Sequence, residues 1–233
     1  PGMAWDDFNN KRILGTVPVA QDGSVSFAVP AEKFVYFQLL DENQMMIQSM
    51  RSGIMARPGE TNACLGCHES RVDAPLSSTI VGSAAAGEPQ TLEPWFGEPR
   101  LFSYYEEVQP VFDKYCVQCH DVGESGAEKL ILSADRNLAF NVSYWELRSK
   151  GYARVPGAGP HNVLPPNSWG AAQSKLAQIF LKGHEDPQID AKRREIGVFV
   201  DAHSDVEAFR RVATWLDLNA PYYPTYASAY RDN

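Results

Sequence analysis

All four cysteines of this chain fall into two copies of one pattern, Cys64-Leu65-Gly66-Cys67-His68 and Cys116-Val117-Gln118-Cys119-His120. Cys-x-x-Cys-His is the attachment signature of c-type haem. Two thiols three positions apart on a short turn can each form a thioether with one vinyl group. The histidine that follows is then carried under the ring, where it binds the iron. Cys64, Cys67, Cys116 and Cys119 are therefore the expected covalent anchors, and His68 and His120 the proximal ligands, of two covalently bound haem c groups. Other chemistries use parts of the same pattern. A thioredoxin-like redox site needs its Cys-x-x-Cys on a βαβ unit, and neither copy sits in one. A structural zinc site could take two cysteines and a histidine, but two identical motifs that use every cysteine fit haem better. A disulfide framework leaves the two histidines unexplained.

Each iron has one further axial position, and its occupant separates electron transfer from catalysis. Every methionine lies at or before Met55, so the second motif has none downstream of it. The remaining histidines are His161, His184 and His203. His184 follows Gly183 in the chain between two expected helices and is the candidate sixth ligand of the second haem. His161 ends the loop Pro156-Gly157-Ala158-Gly159-Pro160 and is the candidate for the first, with Met50 and Met55 as alternatives. That iron is otherwise open, or ligated by another chain. His203 stands just before the last helix and is expected to be exposed.

These residues need elements to position them. Ile13–Val19, the alternating Val25, Phe27 and Val29, Phe34–Leu40 and Met45–Met50 read as short strands, with a turn at Gln21-Asp22-Gly23-Ser24. Residues 72–100 are rich in Ala, Gly, Pro and Ser and read as a linker or extended arm, anchored by Trp95-Phe96. In the second half, Val108, Val111, Phe112 and Tyr115 recur at helical spacing before Cys116, and Ser103 opens a capping box. Pro110 requires that helix to start near Gln109 or to kink. A short helix is expected over Ser174–Lys182, closed by a left-handed Gly183. A final helix follows the capping box Ser204-Asp205-Val206-Glu207, with Val206, Phe209, Val212, Ala213 and Leu216 as its apolar stripe. The tyrosines of the tail, Tyr222, Tyr223, Tyr226 and Tyr230, read as packing on the domain surface. The expected class is α+β: a β-rich domain over 1–71 ending in the first motif, a linker over 72–100, and a helical cytochrome c domain over 101–233.

Composition narrows the partners. With 29 acidic against 21 basic side chains the formal net charge is −8, which argues against nucleic acid as a partner. No apolar run approaches the ~20 residues of a membrane-spanning helix. The chain starts at Pro1 without a signal pattern and reads as mature or trimmed. Because c-type haem is attached outside the cytoplasm, a periplasmic or extracellular location is expected, in keeping with the absence of leftover cysteine. The acidic surface suits a basic or mixed-charge redox partner protein.

Several blocks carry a family resemblance. They are Arg12–Val19 with Asp22-Gly23-Ser24, Tyr36–Asp41, Met50-Arg51-Ser52 and Pro58-Gly59-Glu60 before the first motif. In the second half they are Val108–Asp113, Ser174-Lys175-Leu176, Gly183-His184 and Trp215–Tyr223. On these the chain resembles the hydrazine synthase alpha-subunit family. Members combine a β-propeller, a middle domain with one haem and a C-terminal domain with a second. The resemblance implies that this chain holds the middle and C-terminal parts without the propeller, and supports His184 as a distal ligand. It also implies a tyrosine ligand four residues after the first motif histidine, where this sequence has Val72. The expected function is electron transfer by a dihaem c-type cytochrome. The alternatives are a catalytic haem subunit with an open first iron, and a repeating unit of a multihaem complex, homo-oligomer or filament.

Overall fold

Alternation and turn signals in the first hundred residues give less regular sheet than their spacing suggests. The computed structural model describes residues 10–50, 52–64, 66, 82–157 and 164–225. The expectations for Cys67, His68, His161, Val72, Tyr226 and Tyr230 lie outside the described residues. Two strands pair as a small antiparallel sheet, β1 (Gln38–Leu40) and β2 (Met46–Ser49). The turn between them is held by Asp41, whose carboxylate accepts the N–H groups of Asn43 and Met45. With the helices below, this bears out an α+β class at the coarse level.

The chain divides into two compact units. One comprises Arg12–Gln38 and Ser49–Arg100; the other comprises Leu39–Gln48 and the chain from Leu101 onward, with the N-terminal residues to Lys11. In the first unit the stretches read as strands at 13–19 and 25–29 make only isolated bridges, Thr16 to Glu93 and Phe27 to Gln90. Beside the first bridge, a side chain at Gly15 would meet the Glu93 carbonyl at 2.6 Å, so only glycine allows the two backbones to come that close. The turn at 21–24 is as expected, closed by Ala20 N–H to Ser24 O at 2.9 Å and by the Asp22 carboxylate. Residues 82–100, read from composition as a linker, supply the partner sides of both bridges. Trp95 is buried there, tilted against Phe96 and under the Arg100 guanidinium.

Six α-helices are found among the described residues. α1 (Tyr104–Glu107) is capped by Ser103, which accepts the Glu106 N–H. α2 (Gln109–Tyr115) starts afresh after Val108, with Pro110 in its first turn where the missing N–H costs no hydrogen bond. α3 (Val142–Ser149) has no counterpart in the sequence reading. α4 (Lys175–Lys182) matches the helix expected after Ser174. α5 (Pro187–Glu195) was not expected either, because its residues are polar on all sides. Asp186 capping ahead of Pro187 was the signal that could have revealed it.

α6 (Val206–Asp217) is capped by Asp205 rather than Ser204, through the Ala208 N–H. Phe209, Val212, Ala213 and Leu216 are buried as expected, whereas Val206 is 53% exposed because it occupies the first turn. α6 packs against α1 and α4. Around it, Tyr104, Tyr144, Trp215 and Tyr222 form an aromatic cluster with neighbouring ring centroids 4.9–6.0 Å apart. Tyr222 is thus a core residue rather than surface packing: its ring stacks on Tyr104 and its hydroxyl accepts the Asn141 N–H. Among the described residues no helix is long and apolar enough to cross a membrane.

Candidate haem site at the second motif

Helix α2 delivers the second motif. Its last turn hands the chain to Cys116, whose N–H bonds to Phe112 O at 2.8 Å, and the motif then winds tightly. The Cys119 and His120 N–H groups both bond to Cys116 O, at 3.1 and 2.9 Å. The end of the motif is tied back into the unit by Leu132 N–H to His120 O and by Gly126 N–H to Cys119 O, both at 2.7 Å. Gly126 is needed at that crossing: a Cβ would lie 2.7 Å from the Cys119 carbonyl and from the His120 ring.

His120 and His184, 64 positions apart in sequence, stand together. Their ring centroids are 6.5 Å apart and their planes are inclined by only 19°. Each ring is fixed through Nδ1. His120 Nδ1 lies 2.9 Å from Leu130 O, so it carries the proton and donates. His184 Nδ1 lies 2.9 Å from Asp190 Oδ1. In both rings Nε2 is therefore the nitrogen left with a lone pair for a metal. A metal–imidazole bond of ~2 Å, with the ring centroid ~1 Å behind the nitrogen, puts two imidazoles across one ion at ~6 Å between centroids. The observed spacing is of that size, so His120 and His184 are the residues that would hold a haem iron here.

Electrostatics favours neutral groups here. Burial lowers the pKa of His120, and the neighbouring His184 adds to that. Burial also pushes the Cys116 thiol up to about 12, so the sulfur is uncharged at neutral pH. Among the described residues, no three Cys, His, Asp or Glu side chains gather as a tetrahedral metal site requires. Cys64, Cys116 and Cys119 are not in disulfides.

One element that sequence reasoning does not find completes the site. α5 carries Asp190 and Arg193: Asp190 accepts both the His184 N–H (3.0 Å) and the Arg193 guanidinium (2.8 Å). Although burial works the other way, these bonds hold the Asp190 carboxyl below its ordinary range. Gly183 has φ +81° and ψ −173°, which is not the left-handed helical cap expected of it. The position also admits no side chain: a Cβ at Gly183 would lie 2.1 Å from Asp190 Oδ2. Gly183→Ala is accordingly expected to lower stability by at least ~1–3 kcal/mol through backbone strain alone, as a fall in the urea midpoint. A midpoint equal to that of the parent would mean the carboxylate is not packed there.

The other expected site residues are more scattered. His203 is exposed, as expected, its N–H bonded to Asp201. Met55 is 61% exposed and Met50 half-buried. Of the first motif, Cys64 is exposed and Gly66 has φ +81°, both in the unit that contains residues 49–100. An open cleft of ≈440 Å³, lined by Arg154, Val155, Pro156, Leu164 and Trp169 among others, contains no motif residue among the described residues.

Residues 1–69 match the family model described as the hydrazine synthase alpha subunit middle domain. That range closes just after the first motif. The chain is also similar to the hydrazine synthase subunit alpha of Kuenenia stuttgartiensis, 21% identical over 211 residues that cover 68% of this chain. The chain spans about a quarter (26%) of that relative's length. No solved structure matches. Both matches bear out the resemblance carried by the sequence blocks: the chain is hydrazine synthase alpha-subunit-like.

Proposed function

We propose, with the hydrazine synthase alpha-subunit likeness as premise, that this chain is a dihaem c-type cytochrome that carries electrons outside the cytoplasm. The observation that carries the reading is the His120–His184 pair, two parallel imidazoles with Nε2 free on each. Cys116 and Cys119 would anchor one haem and His120 and His184 would hold its iron. Cys64, Cys67 and His68 would do the same for the other, with His161 as its candidate sixth ligand. Haem, when bound, supplies one-electron chemistry. The chain's own residues keep both imidazoles in place, each pinned at Nδ1, so the charge can change without ligand exchange and with little reorganisation. The two short ties behind His120, to Leu130 O and from Leu132 N–H, serve that rigidity.

A second reading has its own support. The family model covers the first motif, and the relative is named as a subunit of hydrazine synthase. The first motif would then serve as a catalytic haem with an open position, within a complex of several chains. Val72, in place of the tyrosine that the resemblance implies, weighs against hydrazine formation itself. Both readings share an extracytoplasmic location and protein redox partners.

The test is the absorption spectrum of the dithionite-reduced protein with and without carbon monoxide. Two haems per chain with no response to carbon monoxide is the expected result for a relay. Binding at one haem moves the catalytic reading, or a ligand supplied by a neighbouring chain, to the front. Binding at both haems removes His184 as a ligand and sinks the first reading.

A further inference from the structure

The two imidazoles of the pair are held by unlike partners. His120 Nδ1 faces the Leu130 carbonyl, a neutral acceptor. His184 Nδ1 faces a carboxylate, Asp190, whose other oxygen accepts the His184 backbone N–H at 3.0 Å. One residue therefore fixes both the main chain and the ring of His184. The arrangement is built rather than incidental. The Asp190 side chain is 12% exposed and that of Arg193, which bonds it at 2.8 Å, is 7% exposed. Gly183 gives up any side chain so that the carboxylate can come close. Arg193 is backed by the Phe199 ring, 5.4 Å from its guanidinium carbon.

Resting on the ligand reading above, we propose that Asp190 is a positioning residue for His184: it fixes the tautomer that frees Nε2 and holds negative charge against the ring, so that the second haem has a lower reduction potential than a neutral partner would give it. The physical reason is ordinary electrostatics. A carboxylate hydrogen-bonded to the far nitrogen raises the ligand's basicity and favours the more positive metal state. The Leu130 carbonyl has no full charge with which to do the same for His120. Arg193 shares the carboxylate oxygen with the His184 ring: its Nη1 lies 2.8 Å from Asp190 Oδ1 and 3.4 Å from His184 Nδ1. Its charge tempers that of Asp190, and its hydrogen bond keeps the carboxylate from turning towards solvent.

The experiment uses the haem-loaded chain and three variants, reading the midpoint potential of each haem and carbon monoxide binding to the reduced protein. His184→Ala is the control and is expected to make one haem bind carbon monoxide. If it does not, the ligand reading itself fails. With the control positive, Asp190→Asn is expected to raise one midpoint potential by about 59 mV, a tenfold shift in its reduced-to-oxidised ratio, and leave the other unchanged. Asp190→Ala is expected to add carbon monoxide binding at that haem, because the ring loses its orienting partner. The proposal is overturned if, with the control positive, both Asp190 variants keep the parent's potentials and ligand binding, or move both haems equally. A fall in thermal stability alone, with potentials intact, counts against it in the same way.

Discussion

Converting Cys116 and Cys119 together to serine is expected to remove one of two covalently held haems, halving the haem absorbance per chain and lowering the intact mass by one haem. The argument is chemical. Serine preserves size and a hydrogen-bonding group, but it lacks the sulfur through which a thioether to a haem vinyl group is made. The turn itself does not depend on the sulfurs, since Cys119 and His120 N–H to Cys116 O and Leu132 N–H to His120 O are all main-chain bonds. The variant should therefore keep its helices while losing its colour at one site. The companion variant, Cys64→Ser with Cys67→Ser, should remove the other haem. Intact-mass spectrometry decides the matter: a mass that differs from the parent's only by the two substitutions, in either variant, would end the dihaem reading.

Stability is expected to fall by as much as ~4 kcal/mol as the pH is raised from about 4 to above 7, on account of a single side chain, Asp217. It lies at the end of α6, 2% exposed, and accepts the Ala171 N–H at 2.7 Å and the Met46 N–H at 2.9 Å. It thereby ties the tip of the β1–β2 hairpin and the Gly170–Ser174 turn to the last helix. Burial raises its pKa from 3.8 to about 7, outweighing those two bonds, and Asp41 nearby adds to the effect. The folded chain therefore keeps a proton that the unfolded chain has lost between these two values. Stability from this group is full below pH ~3.8 and is lost as the pH rises through ~7, at ~1.4 kcal/mol per pH unit over about three units. Asp217→Asn should flatten this dependence. At pH 5.5 the variant should be less stable than the parent by ~1–3 kcal/mol, because an amide NH₂ replaces one of two acceptors. The gap should narrow at pH 8. Urea midpoints at the two pH values measure it, and parallel curves for parent and variant would refute the assignment.

Some of the fold could be read from local chemistry because the signal is local. The Ser103 cap, the restart of the helix around Pro110 and the buried stripe of Phe209, Val212, Ala213 and Leu216 each depend on a few neighbouring residues. The turn at Gln21–Ser24 is of the same kind. α5 escaped because periodicity sees only apolar residues, and its buried positions are Asp190 and Arg193. Residues 88–96 escaped because their composition is that of a loop, while their bridges to Thr16 and Phe27 are long-range. Tyr222 reads as surface from the sequence because a tail beyond a proline carries no pattern of its own. It is buried by Phe140 and by rings from α1 and α3 that only folding brings there.

The sequence by itself determined the chemistry offered at the second motif: two thiols, one histidine, and a second histidine behind a glycine. Covalent spacing is a property of the chain, so no folding is needed to recognise it. Tertiary structure alone decided that His184 stands 6.5 Å from His120 and that a carboxylate from an unforeseen helix holds it. It also decided that Gly183, the residue that ends α4, must lack a side chain to admit that carboxylate. These depend on contacts between segments up to 64 positions apart, and on the exclusion of a single Cβ, neither of which leaves a local trace.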